Sequence, residues 1–144
     1  MKKHKDPIIV EMNFPSSIEV VWESITVLDK MKKWYFEQIE TFEPIVGFET
    51  RFDVISGDKT FPHFWKITEV KAPSRITYNW IFDGYDGASS ISFELNVCGK
   101  GTNLKVINTI LEDFPDDVPE FTRDSCINGW YYFLNRLSKY LKTT

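Results

Sequence analysis

The sequence predicts an α+β domain in which a run of antiparallel strands is closed by one long C-terminal helix, with a strand and two short helices in front. Two observations predict it. At the end of the chain Ile127, Trp130, Leu134, Leu137 and Leu141 recur at three- and four-residue steps, which places them on one stripe of a helix. From Phe42 onward, for about seventy residues, the apolar pattern has period two instead, as strands with one buried face require. A helix with one apolar stripe and a sheet with one apolar face each need a partner, and here each can serve the other.

Taken in order, residues 8–14 alternate, with Val10, Met12 and Phe14 on one face and Glu11 and Asn13 on the other, and Pro15 ends the strand. Ser16, followed three residues later by Glu19, reads as a capping box opening a short helix with Ile18, Val21, Trp22 and Ile25 as its stripe. A second short helix is expected over residues 28–34. The strands that follow are separated by turn signals at Pro44, Gly47, Ser56-Gly57-Asp58, Ala72-Pro73, Asp83-Gly84, Asp86-Gly87 and Gly99-Lys100-Gly101.

Within the meander, Phe48, Phe52 and Val54 alternate with Glu49, Arg51 and Asp53, and Trp65 and Ile67 alternate with Lys66 and Thr68. Ile76, Tyr78, Trp80 and Phe82 share one parity, as do Ile91, Phe93, Leu95 and Val97. The last strand, over residues 102–111, is less clean, because Leu104 and Val106 share a parity with Asn108 while Ile107 lies opposite. Glu112, Asp113, Asp116, Asp117 and Glu120 then form an acidic loop before the final helix, where the helix dipole favours negative charge.

A chain of 144 residues suits one domain over 1–144, with residues 1–6 as a flexible tail. The formal net charge of −4 speaks against a nucleic-acid partner, since the one basic run, Lys2, Lys3, His4 and Lys5, reads as a solvated terminus. No apolar stretch is long enough for a membrane span or follows the N-terminal lysines as a signal peptide would, so a cytoplasmic location is expected. Cys98 and Cys126 are read as reduced, small buried hydrophobes, and with only His4 and His63 beside them no metal site or cofactor is expected. Twelve Phe, six Tyr and five Trp are many for this length, and they must pack in a core or around a cavity.

Several local motifs fall in a familiar order: Phe14-Pro15-Ser16-Ser17 with the helix leading to Trp22, then Trp34, then Val46-Gly47-Phe48. After these come Trp65-Lys66-Ile67, Ala72-Pro73-Ser74-Arg75-Ile76, Ser92-Phe93-Glu94-Leu95, Gly101-Thr102-Asn103-Leu104 and finally Gly129-Trp130. In this order they resemble the START-like helix-grip superfamily (SRPBCC), and within it the group related to the activator of the heat-shock-protein-90 ATPase, over nearly the whole chain. The resemblance implies a helix-grip fold: a curved antiparallel sheet wrapped around the C-terminal helix, with a cavity between them that often receives apolar molecules. It does not imply one function, because members include binding proteins, cyclases, hydrolases and co-chaperones.

If the apolar parity faces inward, the sheet side of such a cavity comes from Phe48, Phe52, Val54, Trp65, Ile67, Tyr78, Trp80, Phe82, Phe93 and Leu95. The helix side comes from Trp130, Phe133, Leu134 and Leu137, and His63 and Asn108 join Tyr78 as polar points. A mostly apolar wall with few convergent polar groups suits the orientation of a small hydrophobic or amphipathic ligand. His63 titrates near neutrality and could serve as a base, but no Ser, Cys or Asp is positioned by the sequence to orient it, and no catalytic residue is assigned.

The same alternating aromatics opposite a helical stripe describe an ordinary filled core equally well. An empty space of roughly 300 Å³ would cost about 7 kcal/mol, comparable with the stability of a whole domain, so a large dry void is not expected. Non-enzymatic binding of a small hydrophobic molecule is the leading expectation. The alternatives are a co-chaperone-like module with a chaperone as partner, and an enzyme of the cyclase or hydrolase type acting on an aromatic or polyketide-like substrate. Oligomeric state is not read from the sequence.

Overall fold

A computed structural model describes residues 1–143. In chain order the elements are β1 (Ile8–Phe14), α1 (Ile18–Thr26), α2 (Leu28–Trp34), β2 (Glu49–Ser56), β3 (Lys59–Lys71), β4 (Arg75–Phe82), β5 (Ala88–Cys98), β6 (Gly101–Glu112), a single 3-10 turn (Pro119–Phe121) and α3 (Arg123–Leu141). The strands form one curved antiparallel sheet in the order β1-β6-β5-β4-β3-β2. From β2 to β6 this is the expected meander, while β1 pairs with β6, Ile8 opposite Asn108 through Phe14 opposite Thr102. Since β1 and β2 hold opposite edges, the connection carrying α1 and α2 spans the width of the sheet. With α3 it covers the apolar face, which is the helix-grip arrangement.

The first helix starts one residue later than the capping box implies. Ser17, with extended backbone, is the N-cap, and its side chain accepts from the Val20 amide at 3.4 Å. Ser16 serves another purpose, because its carbonyl accepts from Thr102 Oγ1 at 2.8 Å and ties the turn to β6. Val21 and Ile25 are the buried members of the expected stripe, and Trp34 Nε1 donates to the Ser24 carbonyl at 2.7 Å, locking α2 to α1.

The ambiguous last strand resolves cleanly. Thr102, Leu104, Val106, Asn108 and Ile110 all face inward and are buried, so Asn108 is a polar member of the core face and Ile107 points out. In β3 the register jumps at Ile67/Glu69, leaving Thr68 as an extra residue that returns Val70 to the inward face opposite Ile76. The outer face is polar as predicted, with Arg75 bonded to both Glu69 and Glu94, and the Thr77 and Ser92 hydroxyls 2.8 Å apart.

A second, smaller apolar cluster of Phe61, Ile110, Phe114 and Phe121 closes one end of the sheet. The chain start, expected to be a flexible tail, is attached here. The Met1 amino group donates to the Phe121 carbonyl at 3.1 Å, the Phe114 amide donates to the Met1 carbonyl at 2.9 Å, and Lys2 pairs with Asp116 at 3.0 Å. The acidic loop therefore holds the basic run more than it caps α3. The cap is Thr122, whose hydroxyl accepts from the Ser125 amide at 3.2 Å. Cys98, expected to be buried, is exposed near the β5–β6 turn, and Cys126 is half-buried.

Candidate functional site

Much of the space under α3 is filled by two residues that no periodicity marks. Tyr35 ends α2 with a backbone outside the helical region (φ −99°, ψ −107°), and this turn directs Tyr35 and Phe36 between the sheet and α3. Tyr35 stacks on Trp34 at 4.7 Å and on Trp65 at 5.4 Å, and meets Phe133 edge-on at 5.0 Å. Phe36 lies 5.2 Å from Phe52, 5.7 Å from Trp80 and 4.8 Å from Phe133. Such pairs contribute about 0.5–1.5 kcal/mol each beyond area burial. From α3, Arg136 holds the plug in place by donating to the carbonyls of Tyr35 and Lys33, both at 3.4 Å.

The plug divides the residues that parity assigns to a ligand space. Phe52, His63, Trp65, Tyr78 and Phe93 pack around Tyr35 and Phe36. Ile67, Leu95, Leu134 and Leu137 lie in the buried core, with Phe48 and Val54 partly buried against it. Trp80, Phe82, Asn108, Trp130 and Phe133 line a remaining cavity of about 150 Å³.

That cavity lies beyond the plug, between β4, β5, β6 and the N-terminal half of α3. Ser89 and Ile91 complete its sheet wall, Cys126 and Gly129 its helix wall, and Phe36 its inner end. Met1, Phe114, Glu120 and Phe121 form a lid drawn from the chain start and the loop before α3. Two glycines shape it. A Cβ on Gly129 would meet nothing within 4 Å, so the missing side chain leaves room at the wall. Gly87, at φ +113°, lets the Phe114 ring lie against its backbone, where any side chain would collide with that ring. The lid residues were beyond periodicity, belonging to a terminus and an irregular loop; the aromatic and proline content around Phe114-Pro115 was the one available signal.

Polar groups in the lining are few. Ser89 Oγ donates to the Trp80 carbonyl at 3.3 Å, and Asn108 Nδ2 donates to Cys126 Sγ at 2.9 Å. Two buried atoms of the lining residues have no partner among the described residues: the donor Trp80 Nε1 and the acceptor Asn108 Oδ1. A third, Trp65 Nε1, belongs to the core beside the plug. An unsatisfied buried group of this kind costs about 1–3 kcal/mol.

His63, Cys126, Tyr35 and Glu120 are shifted from their ordinary values. His63 is buried, stacked on Phe52 at 4.9 Å, and its Nδ1 is 2.8 Å from the Phe61 carbonyl, so the proton of the neutral ring sits on Nδ1. Burial lowers its pKa to about 4, against a smaller opposing effect of the Phe61 bond. Burial pushes the Cys126 thiol up, keeping it protonated, and pushes the Tyr35 phenol well above its usual value. Glu120 is held below the usual carboxylate range by its own backbone amide and by Lys59 and Ser56, each bonded to it at 3.1 Å. Among the described residues no group of three or more His, Cys, Asp or Glu stands together to hold a metal, and no helix is long and apolar enough to cross a membrane. The arrangement offers shape and a mostly aromatic surface.

The model of the family described as Activator of Hsp90 ATPase homolog 1-like protein matches residues 15–142. No curated protein matches the chain. Among solved structures, protein MLL2253 from Mesorhizobium loti is similar with a TM-score of 0.78 and 21% identity, covering 96% of this chain and 98% of that one. Protein CV1439 from Chromobacterium violaceum gives 0.77 and 18%, covering 93% and 95%. DynU16, a protein in the dynemicin biosynthetic locus, gives 0.77 and 22%, and this chain spans only about half of it, covering 96% of this chain and 48% of that one. At these identities the likeness establishes the fold.

Proposed function

The chain belongs to the Activator of Hsp90 ATPase homolog 1-like family, within the START-like helix-grip superfamily, and from that premise we propose that it binds a small, largely apolar molecule without transforming it. The observation that carries this reading is the cavity of about 150 Å³ left open in a core otherwise filled with aromatic rings. Its wall is mostly aromatic, and a molecule that covers this apolar surface and binds only the folded chain stabilises it.

The lining favours holding over chemistry. Of its titratable side chains, Cys126 is kept as a thiol and Glu120 is paired with Lys59 at the lid, while His63 lies outside the lining against Phe52. A general acid and base facing one another across the space are not part of this wall.

Native mass spectrometry of the purified protein tests the proposal, with solvent extraction to recover the bound molecule. A retained adduct is expected, and it is lost in an Ile91→Phe variant that extends a ring into the cavity from β5. A protein that carries no adduct, together with a variant no different from it in uptake of added small hydrophobic molecules, overturns the proposal.

A further inference from the structure

Resting on that binding role, we infer that residues 1–5 form a strap that controls entry to the cavity, held against the loop after β6 by opposite charge and released when that charge is screened or reversed. The cavity is partly open to solvent, so its opening widens through whichever part of its wall can move. The sheet is not that part. Ser89 and Ile91 belong to β5, which is paired with β4 on one side and β6 on the other, and a shift there would break both ladders. The lid is built differently, with Met1 contributed by the strap and Phe114, Glu120 and Phe121 by the segment between β6 and α3. Met1 joins them, because its amino group donates to the Phe121 carbonyl at 3.1 Å and its carbonyl accepts from the Phe114 amide at 2.9 Å. Lifting the strap takes one lid residue off the mouth and unfastens two more.

The strap is the one basic run of an acidic chain, and it lies against that chain's densest acidic stretch. Lys2 pairs with Asp116 at 3.0 Å, and the Lys3 amide donates to Asp113 Oδ1 at 2.8 Å. That amide bond holds the Asp113 carboxyl below its usual value, with the charges of Lys2, His4 and Lys3 adding to it against an opposing effect of burial. Strap and loop are each rooted elsewhere. Arg123 at the start of α3 donates to the Asp6 carbonyl at 2.8 Å, just ahead of β1, which leaves residues 1–5 as the moving part. At the far end of the loop, Ser56 and Lys59 beside the β2–β3 turn each bind Glu120 at 3.1 Å.

The nature of these ties decides how the lid responds. The Asp116 side chain is 77% exposed, so its pair with Lys2 is open to solvent ions, and exposed ion pairs are individually weak. Salt weakens them further, since the screening length falls from about 10 Å at 0.1 M to about 3 Å at 1 M. The packing of Phe114 and Phe121 on Phe82 is apolar and has no such sensitivity. Ionic strength therefore acts on the strap and leaves the aromatic wall intact.

The experiment uses the full chain and iodobenzene, a single-ring probe whose iodine quenches the fluorescence of Trp80 and Trp130 in the cavity wall. Hydrogen exchange at the Phe114 amide reads the strap, and stopped-flow quenching reads entry and release. Raising sodium chloride from about 0.02 M to about 0.5 M is expected to speed Phe114 exchange about tenfold, with amides at the centre of β5 unchanged. Entry and release of iodobenzene are both expected to speed up about threefold with Kd nearly constant, because a gate alters the rates in both directions. Salting out of the probe would instead tighten binding without hastening release. Lys2→Glu is expected to show the fast rates already at low salt, and Lys2→Glu combined with Asp116→Lys to return them to native values. A Phe114 amide whose exchange ignores both salt and Lys2→Glu overturns the inference. If iodobenzene binds but its rates ignore salt and Lys2→Glu, the inference falls and the binding role stands. The same holds if iodobenzene enters at neither salt concentration while native mass spectrometry finds a retained molecule. If iodobenzene does not bind and nothing is retained, both fall.

Discussion

The hydroxyls of Tyr35 and Tyr78 lie 2.8 Å apart inside the apolar layer, each on a side chain that is almost wholly buried. One donates and the other accepts, so a loop residue after α2 is fastened to the middle of β4. Burial and the neighbouring phenol push the Tyr35 phenol well above its usual value, so it keeps its proton at neutral pH.

This bond gives a prediction with an internal control. Tyr35→Phe removes one partner and leaves the Tyr78 hydroxyl buried and unpaired, at a cost of about 1–3 kcal/mol. The double variant Tyr35→Phe with Tyr78→Phe removes both polar groups and recovers most of that loss. Urea denaturation of the singles and the double measures the coupling, and a double variant as unstable as the sum of the singles contradicts the account.

Truncating the plug has a different signature. Tyr35→Ala deletes a ring in contact with Trp34, Trp65, Phe93 and Phe133. The loss is about 3–5 kcal/mol of stability, the range for removing a large aromatic from a core. The space so opened adjoins the cavity through Phe36, and uptake of 2-naphthol by the variant is the expected gain.

His63 makes stability depend on pH in a defined window. Burial lowers its pKa to about 4 in the folded chain, against 6.5 for an exposed histidine. Above pH 6.5 both states are neutral there and its share of stability is fully present. As pH falls toward 4 the unfolded chain binds a proton that the folded chain refuses, and about 3 kcal/mol is lost. Chemical denaturation from pH 7 to 4 is expected to show a flatter profile for His63→Gln than for the native chain, the difference isolating this residue from the carboxylates.

Sequence periodicity reaches as far as regular elements reach. Strand β1 and helix α2 are found at the residues where the alternation of Val10, Met12 and Phe14 and the second helical segment place them. Trp80 and Phe82 line the cavity through strand parity and Trp130 through the helical stripe, while Phe133 lies beside that stripe. Asn108, which interrupts the apolar parity of the last strand, is its inward polar position. Tyr35 and Phe36 were illegible for a physical reason: they follow the end of a helix, where the chain leaves any repeat and a single backbone turn decides where a ring goes. The same holds for Met1, Phe114 and Phe121, which depend on contacts between the chain start and a loop more than a hundred residues away.

The lid rests on Gly87. Its positive φ of +113° is a conformation that residues with a Cβ rarely adopt, and the Phe114 ring fills the place where that Cβ would stand. Gly87→Ala is therefore expected to push Phe114 away and to destabilise the chain by about 1–3 kcal/mol through backbone strain and lost packing. Gly129→Ala is the matched contrast, because its Cβ meets nothing within 4 Å and it lies within α3. That substitution raises stability by about 0.5–1 kcal/mol through helix propensity. Thermal unfolding of the two variants side by side separates these effects. Hydrogen exchange at the Phe114 and Phe121 amides reports the lid, with faster exchange expected in Gly87→Ala alone, since those amides are bonded to the Met1 and Val118 carbonyls.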